Sequence, residues 1–260
     1  MRDFDLVLYD LDGTLVETAP EICDAVNDVL RGLGWPEARE EQVARWIGHG
    51  TVALLLNAAA QASGIDAKTL DGSDRMAEIR SAYDACYEAR CGTRSRLYPG
   101  VRKTLAAFRS HGIRQAIVTN KEGRYTERVL AVHDLAMSVD HVISGDSLPV
   151  KKPDPAGILA CLEKFGVAPD RAVFVGDSSI DAATARNAGM TTWLFPHGYN
   201  MGEPITGAGA NRILADFAEL RELVLGNKAA GEPLDSARSP DTGAGRPAHV
   251  PDVKLSSCKP

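Results

Sequence analysis

Short apolar runs rich in β-branched residues alternate with helix-type patterns along most of this chain. The runs are DLVLYD, RQAIVTN, DHVISGD, RAVFVGD and TTWLFPHG, at residues 5–10, 114–120, 140–146, 171–177 and 191–198. Each run is nearly continuous in its apolar character, which is typical of strands buried on both faces. The helix-type stretches between them end near Gly112, Gly166 and Gly189, where a glycine cap belongs. The alternation predicts an α/β fold with a doubly wound, Rossmann-like parallel sheet.

Two parts of the chain depart from this alternation. Residues 17–95 contain no convincing strand and show helical stretches at 19–34, 40–64 and 73–91, the second divided by Gly48-His49-Gly50. We therefore predict an all-helical cap at 17–95, inserted into a core formed by residues 1–16 and 96–227. Residues 228–260 are rich in Gly, Pro, Ser and Asp with few large apolar residues. This composition predicts a disordered C-terminal tail.

Composition and charge narrow the class of protein. The 260 residues are 44% hydrophobic and 25% charged, with a formal net charge of -6, as expected for one large domain or one domain with an insert. A net acidic chain is a poor candidate for binding nucleic acid, although small anionic substrates remain open. The five scattered cysteines, the lack of a visible signal peptide and the lack of a long apolar run predict a reduced, cytoplasmic protein without a membrane partner.

Polar residues gather at the ends of three predicted strands. Asp10 ends the first strand, Thr119 and Asn120 end the second, and Asp177 ends the fourth. Ligands bind parallel sheets beyond these carboxyl ends. Any one of these residues could be an ordinary turn former or helix cap. Together with Asp12, however, the aspartates would repel one another unless a cation lay among them, and an all-oxygen ligand set suits Mg²⁺.

The spacing of Asp10 and Asp12 has its own chemical meaning. Two residues of extended chain span roughly 6–7 Å and direct both side chains to the same face. One carboxylate can then attack a phosphorus atom while the other reaches the departing oxygen. Gly13 permits close approach of the backbone, and the Thr14 hydroxyl can hold a neighbouring carboxylate in place.

Four motifs, in this order, resemble those of the haloacid dehalogenase superfamily of aspartate-nucleophile phosphatases. They are DLDGTL, VTN, KKPDP and VGDSSIDAATARNAG, and the resemblance extends from about residue 5 to residue 225, including a helical cap after the first motif. Each motif alone is weak, but the ordered set is specific. RWIGHG (45–50) and HGYNMGEPI (197–205) also resemble segments of the phosphoglycolate phosphatase subfamily.

The resemblance implies a role for each motif residue in phosphate ester hydrolysis. Asp10 would be the nucleophile that forms an aspartyl-phosphate, and Asp12 the general acid and base. Thr119 and Asn120 would bind the phosphoryl oxygens through a hydroxyl and backbone N–H groups. Lys152, rather than Lys151, would balance the charge of phosphate and nucleophile.

The same resemblance implies a Mg²⁺ site and a small phosphorylated metabolite as partner. The Asp10 carboxylate, the Asp12 backbone carbonyl and Asp177 would hold Mg²⁺. Asp181 would either hold a metal-bound water or cap the amides of the Ser178–Ser179 loop, and Thr14 would support the site from behind. The implied reaction converts 2-phosphoglycolate and water to glycolate and phosphate, in a monomer or homodimer.

Substrate selection is expected from the cap. Gly48, His49, Gly50 and Arg45 are the candidate contacts for the substrate carboxylate. The alternative is that Trp46 and Ile47 belong to the core and His49 to a surface turn.

Several other functions remain open from the sequence. A phosphatase of another small metabolite or sugar phosphate, and a phosphosugar mutase, would share these motifs. A dehalogenase is disfavoured because it needs no Mg²⁺. A phosphonate hydrolase is disfavoured because Lys68, the sole lysine of the predicted cap, lies outside the segment expected to face the site. A phospho-aspartate signalling module like the bacterial receiver domain is the non-enzyme alternative, but AIVTN lacks the aspartate such a module carries on its third strand.

Overall fold

The structure is a computed structural model that describes residues 4–226. The predicted disordered tail at 228–260 lies outside the described residues. In chain order the strands are β1 (Leu6–Tyr9), β2 (Val16–Glu17), β3 (Arg96–Leu97), β4 (Arg114–Val118), β5 (His141–Ile143), β6 (Ala172–Gly176), β7 (Thr191–Leu194) and β8 (Arg212–Ile213). The helices are α1 (Ala19–Gly32), α2 (Glu40–Ala44), α3 (Thr51–Ser63), α4 (Ala67–Leu70), α5 (Asp74–Arg90), α6 (Val101–Ser110), α7 (Gly123–Val132), α8 (Ala156–Phe165), α9 (Ser179–Asn187) and α10 (Phe217–Leu225).

Six strands form a parallel sheet in the order β5-β4-β1-β6-β7-β8. The β1 strand lies between β4 and β6, and Tyr9 at its end pairs with Ile117 and Val175. The chain therefore delivers the residues that follow these three strands to neighbouring places on one edge, which we call the carboxyl edge. The predicted α/β fold with a doubly wound parallel sheet is confirmed.

The alternation of side chains along the strands explains why both faces of the sheet are covered. Val7 and Tyr9 of β1 pack into the larger core cluster, which includes apolar residues of α6 and α10. Leu6 and Leu8 pack into a second cluster with apolar residues of α8 and α9. All four β1 side chains are fully buried, which accounts for the near-continuous apolar run in the sequence.

Helices α1 to α5 form the stretch that has no strand of the main sheet, and we call it the helical segment (residues 19–90). Its two connections to the sheet pair with each other as the antiparallel strands β2 and β3. The α1 and α5 helices make the most extensive helix–helix packing of the described chain. Gly48-His49-Gly50 separates α2 from α3, as predicted, and both glycines have positive φ, 129° and 89°. The boundaries of a cap domain at 17–95 stay a prediction.

Two further observations concern the chain as a whole. The cysteines within the described residues, Cys23, Cys86, Cys91 and Cys161, are free thiols. Among residues 4–226 no helix has the length and apolar character needed to cross a membrane.

Candidate active site

The carboxyl edge brings the predicted site residues of three strands together around one buried lysine. Lys152, in the loop before α8, places its Nζ 2.9 Å from Asp10 Oδ2 and 2.7 Å from Asp181 Oδ1. The side chains of Lys152 and Asp181 are 3% and 0% exposed. Burial alone would lower the pKa of Lys152, but the charges of Asp10 and Asp181 outweigh it and raise that pKa. The ammonium therefore stays charged and neutralises part of an acidic cluster.

Asp10 and Asp177 are the two carboxylates for which this compensation is incomplete. Burial raises the pKa of Asp10 to about 6, although Lys152 opposes the shift. Burial, with the charges of Asp181 and Asp10, raises the pKa of Asp177 well above its ordinary value. Asp177 nevertheless accepts hydrogen bonds from Thr14 Oγ1 and from the backbone N–H of Tyr199, both at 2.5 Å. Its position is thus fixed, and within residues 4–226 its charge has no Lys, Arg or His ion-pair partner.

The carboxylate cluster fits a divalent cation. Asp10, Asp177 and Asp181 each offer an oxygen, and these oxygens lie within 4.8 Å of one another. Gly13 and Gly198 line the Asp177 carboxylate so closely that a Cβ at either position would collide with it. An all-oxygen set held by short-range packing suits Mg²⁺, and a cation there would offset the burial that raises the pKa of Asp10 and Asp177.

The two carboxylate oxygens of Asp181 make different contacts, one with loop donors and one with Lys152. Its Oδ2 accepts hydrogen bonds from the backbone N–H groups of Asp177 and Ser178 and from Ser178 Oγ, at 3.1, 3.1 and 2.8 Å. Its Oδ1 pairs with Lys152. The backbone N–H of Ser179 instead donates to Asn200 Oδ1 at 2.8 Å. Asp181 therefore caps the amides of Asp177 and Ser178 rather than those of Ser178 and Ser179, and its alternative role of holding a metal-bound water stays a prediction.

A thermal-shift experiment checks the proposed cation site without any enzymatic readout. We expect saturating Mg²⁺ to raise Tm by about 5–10 °C, as for binding worth about 2.7 kcal/mol at 100 times Kd. In the folded protein the pKa values of Asp10 and Asp177 lie above the value near 4 of an unfolded aspartate. The stability of the metal-free protein therefore falls as the pH rises from about 4 through these raised pKa values, because the folded state keeps its protons to higher pH than the unfolded state does. Protons compete with Mg²⁺, so the gain in Tm should be larger at pH 8 than at pH 5.5.

Asp177→Asn should abolish most of this gain. The matched control is Asp170→Asn, which changes an exposed aspartate outside the cluster and should keep the full shift. An equal Mg²⁺ response in Asp177→Asn and Asp170→Asn protein would contradict the assignment.

Asp12 lies in a different ion pair from Asp10, which the sequence did not reveal. Lys121 Nζ is 3.1 Å from Asp12 Oδ1 and 3.2 Å from Oδ2. Thr18 Oγ1 donates to Asp12 Oδ1 at 2.8 Å. Lys121 directly follows VTN, so the sequence does indicate its place at a strand end. Its buried ion pair with Asp12 depends on long-range packing, which the sequence does not indicate. Asp10 and Asp12 therefore form ion pairs with different lysines, Lys152 and Lys121.

A chain of buried polar groups connects Lys121 to the second connection of the helical segment. Lys121 Nζ donates to Tyr87 Oη at 2.7 Å, and Tyr87 Oη lies 3.5 Å from Glu21 Oε1. Glu21 Oε2 in turn accepts the backbone N–H groups of residues 92, 94 and 95. Because Thr18 belongs to the first connection, Asp12 is tied to both connections of the helical segment.

The predicted phosphate-binding residues Thr119 and Asn120 are both buried at the carboxyl edge. Thr119 Oγ1 accepts the backbone N–H of Lys121 at 3.3 Å and keeps its own proton to donate. The Asn120 side chain donates to the backbone carbonyls of Gly48 and Lys152, at 2.9 and 3.0 Å, and accepts the N–H of Lys152. Its amide is thus committed to loop structure, which leaves the backbone N–H as the group Asn120 can offer an anion.

A cleft opens above these residues, between the carboxyl edge and the helical segment. Its walls include apolar and aromatic side chains together with the polar groups of the edge. They are Asp10, Asp12, Ile22, Ile47, Gly48, Gly50, Thr51, Leu54, Tyr83, Tyr87, Thr119, Asn120, Lys121 and Glu122. Thr51 and Arg80 of the helical segment bond Glu122 of the edge, at 2.8 and 3.1 Å, and hold the two sides together.

The four candidate cap contacts separate into two groups. Gly48 and Gly50 line this cleft. His49 and Arg45 are exposed, and among the described residues neither belongs to the cleft wall. The stem of Arg45 lies against Gly202 instead and lines a second groove beside Tyr199. Ile47 is buried and lines the cleft. His49 is exposed, as expected for the alternative in which it belongs to a surface turn.

Comparison with known proteins gives the family. The model of the haloacid dehalogenase-like hydrolases matches residues 7–195. The chain belongs to the haloacid dehalogenase-like hydrolase family. A phosphoglycolate phosphatase of Vibrio cholerae is 35% identical over 225 residues, covering 86% of this chain and 99% of its own. One from Nitrosospira multiformis is 38% identical over 221 residues, covering 84% and 94%.

A solved structure supports the same assignment. The crystal structure of a predicted phosphoglycolate phosphatase from Haemophilus somnus superimposes with a TM-score of 0.80 at 32% identity, covering 86% of this chain and 99% of that one. The membership predicted from the four motifs is confirmed, and with it the class of phosphoric monoester hydrolases.

Proposed function

We propose that this hydrolase is a Mg²⁺-dependent phosphatase that cleaves 2-phosphoglycolate to glycolate and phosphate through an aspartyl-phosphate. The observation that carries the proposal is the position of Asp10 at the end of the central strand, between Lys152 and the Asp177 carboxylate. The choice of substrate comes from the phosphoglycolate phosphatases that align with this chain over 99% and 94% of their own length.

Asp10 is the nucleophile in this proposal. One of its oxygens, Oδ1, is held by the backbone N–H of Leu11 at 2.7 Å, and the other faces Lys152. A carboxylate so oriented attacks phosphorus in line with the departing oxygen, forming a P–O bond to the side chain as the ester P–O bond breaks. Thr119 Oγ1 and the backbone N–H of Asn120 then donate to the phosphoryl oxygens, and Lys152 balances their charge.

Asp12 exchanges the proton. It gives a proton to the departing alkoxide and takes one from the water that hydrolyses the aspartyl-phosphate. Thr18 and Lys121 fix the direction of the Asp12 carboxylate. Mg²⁺ held by Asp10, Asp177 and the Asp12 backbone carbonyl would supply charge neutralisation between the anionic nucleophile and the phosphate.

The test is phosphate release with Mg²⁺ from a panel of phosphate esters. The panel contains 2-phosphoglycolate, 2-hydroxyethyl phosphate, which has a neutral hydroxyl in place of the carboxylate, and several sugar phosphates. We expect the highest kcat/KM for 2-phosphoglycolate, at least about 10-fold above the neutral analogue, since a paired charge is worth more than 1.4 kcal/mol. A higher kcat/KM for a sugar phosphate would reject this substrate, and sugar-phosphate isomerisation without phosphate release would indicate the mutase alternative.

Other predictions from the sequence remain predictions. These are a cytoplasmic location, a monomeric or homodimeric state, and the absence of nucleic-acid and membrane partners.

A further inference from the structure

Lys121 offers the cleft a positive charge that the steps proposed above do not bring to the substrate. Among the described residues of the cleft wall it is the one Lys, Arg or His side chain. Its side chain is 4% exposed, and it lies on the wall shared with Asp12 and Tyr87. Lys152, the other buried lysine of the carboxyl edge, lies beneath Asp10 and is committed to Asp10 and Asp181.

The contacts of the Lys121 ammonium fix its position on the cleft wall. Nζ lies 3.1 Å from Asp12 Oδ1 and 3.2 Å from Asp12 Oδ2. Tyr87 Oη takes a second N–H at 2.7 Å. An ammonium has three N–H donors, so a ligand carboxylate in the cleft would share the N–H groups that face Asp12.

The rest of the wall selects a small ligand with one further anionic group. Ile22, Ile47 and Leu54 provide apolar surface opposite the carboxyl edge, and such a surface does not satisfy the hydroxyl groups of a sugar. Thr119 and Asn120 lie two residues and one residue before Lys121, so a phosphoryl group at the edge stands beside the ammonium. A short carboxylate attached to that phosphoryl group reaches Lys121 without contacting His49 or Arg45, which lie outside this wall.

We infer that Lys121 is the specificity-determining residue that binds the carboxylate of the substrate. The inference rests on the proposed function for the identity of the natural substrate, and it deepens that function by locating the carboxylate subsite on the strand edge rather than on the cap loop. In this arrangement Tyr87 and Asp12 hold the ammonium in place, and an N–H that it shares with Asp12 donates to a substrate carboxylate oxygen.

Ligand binding tests the inference independently of turnover. The probe is 3-phosphonopropionate, a non-hydrolysable analogue with CH₂ in place of the ester oxygen, and its neutral counterpart is propylphosphonate. Calorimetry with the Mg²⁺-loaded full chain should show the carboxylated probe binding about 30- to 1,000-fold more tightly to the wild type, as for a buried charge pair. Lys121→Met should reduce that preference to about 3-fold or less, while affinity for propylphosphonate changes little.

Controls separate carboxylate recognition from general effects. Lys151→Met removes an exposed charge from the same edge and should keep the preference. Tyr87→Phe removes one contact of the Lys121 ammonium but leaves the charge of Lys121 in place, so this variant should keep most of the preference. This measurement does not depend on whether Lys121→Met protein folds.

The outcomes for the two proposals are distinct. A carboxylate preference that survives in Lys121→Met protein overturns the inference, as does a wild type without any preference. Absence of 2-phosphoglycolate hydrolysis by the wild type, together with a Lys121-dependent preference for the carboxylated probe, overturns the substrate assignment alone.

Discussion

Asp10→Asn is expected to lower kcat/KM for phosphate release by about 10⁴- to 10⁶-fold, as found when a covalent nucleophile is removed from an enzyme. The substitution keeps the shape of the side chain and one hydrogen-bond acceptor for the backbone N–H of Leu11. It removes the anionic oxygen that faces Lys152 and would form the bond to phosphorus. The remaining groups can still bind the ester, so substrate affinity should change much less than kcat.

The stability of the Asp10→Asn protein distinguishes a chemical defect from misfolding. Burial raises the pKa of Asp10 to about 6, so its charged form is disfavoured by the fold at neutral pH. A neutral side chain at this position should therefore leave Tm of the metal-free protein equal to that of the wild type, or higher. Asp170→Asn serves as the control and should retain full activity.

Acid-quenched reactions with ³²P-labelled substrate provide the second readout. Wild-type protein should carry label on the chain during turnover, and Asp10→Asn protein should not. Substantial turnover by Asp10→Asn protein, or label on it equal to that on the wild type, would contradict the role assigned to Asp10.

The sheet and the residues at its strand ends could be predicted from the sequence because the signal is local. DLVLYD is nearly continuous in apolar character since β1 is buried on both faces by two different core clusters. Once β1 and β6 are recognised as neighbouring parallel strands, Asp10 and Asp177 must lie at the same edge. The β8 strand was not predicted because it has two residues, both exposed, and carries no apolar pattern.

The parts that the sequence did not reveal depend on packing between distant residues. Lys121 looks like an ordinary loop lysine until Asp12, which lies 109 residues earlier, and Tyr87 of α5 close over it. The sequence predicts that Gly48-His49-Gly50 interrupts the helical stretch, but no local rule decides which of these residues faces the cleft. The positive φ angles of both glycines rotate the chain so that Gly48 and Gly50 line the wall while His49 is exposed.

Lys152→Met is expected to destabilise the protein by about 3–5 kcal/mol and to lower kcat by about 10²- to 10³-fold. Methionine matches the lysine in length but lacks its charge, so Asp10 and Asp181 would face each other without a counter-ion. Removal of one partner from a buried ion pair costs this much because the remaining charges keep their desolvation penalty. Urea unfolding and steady-state kinetics measure the two effects. Lys103→Met, an exposed substitution on α6, is the control and should change neither.

A double-mutant cycle shows whether charge rather than packing causes the loss. Asp181→Asn removes one of the two carboxylates that lose Lys152 as their counter-ion, so in the Lys152→Met background it should cost less than in the wild type, with a coupling energy of about 1–3 kcal/mol. Lowering the pH from 7 to 5 should also recover stability in Lys152→Met protein, because protonation of Asp10 removes a second buried charge. Activity should not return in either case, since Lys152 is also needed to balance the transferred phosphoryl group. If the stability losses add independently and do not respond to pH, the role of Lys152 at this edge is one of packing, and the electrostatic account of the cluster is wrong.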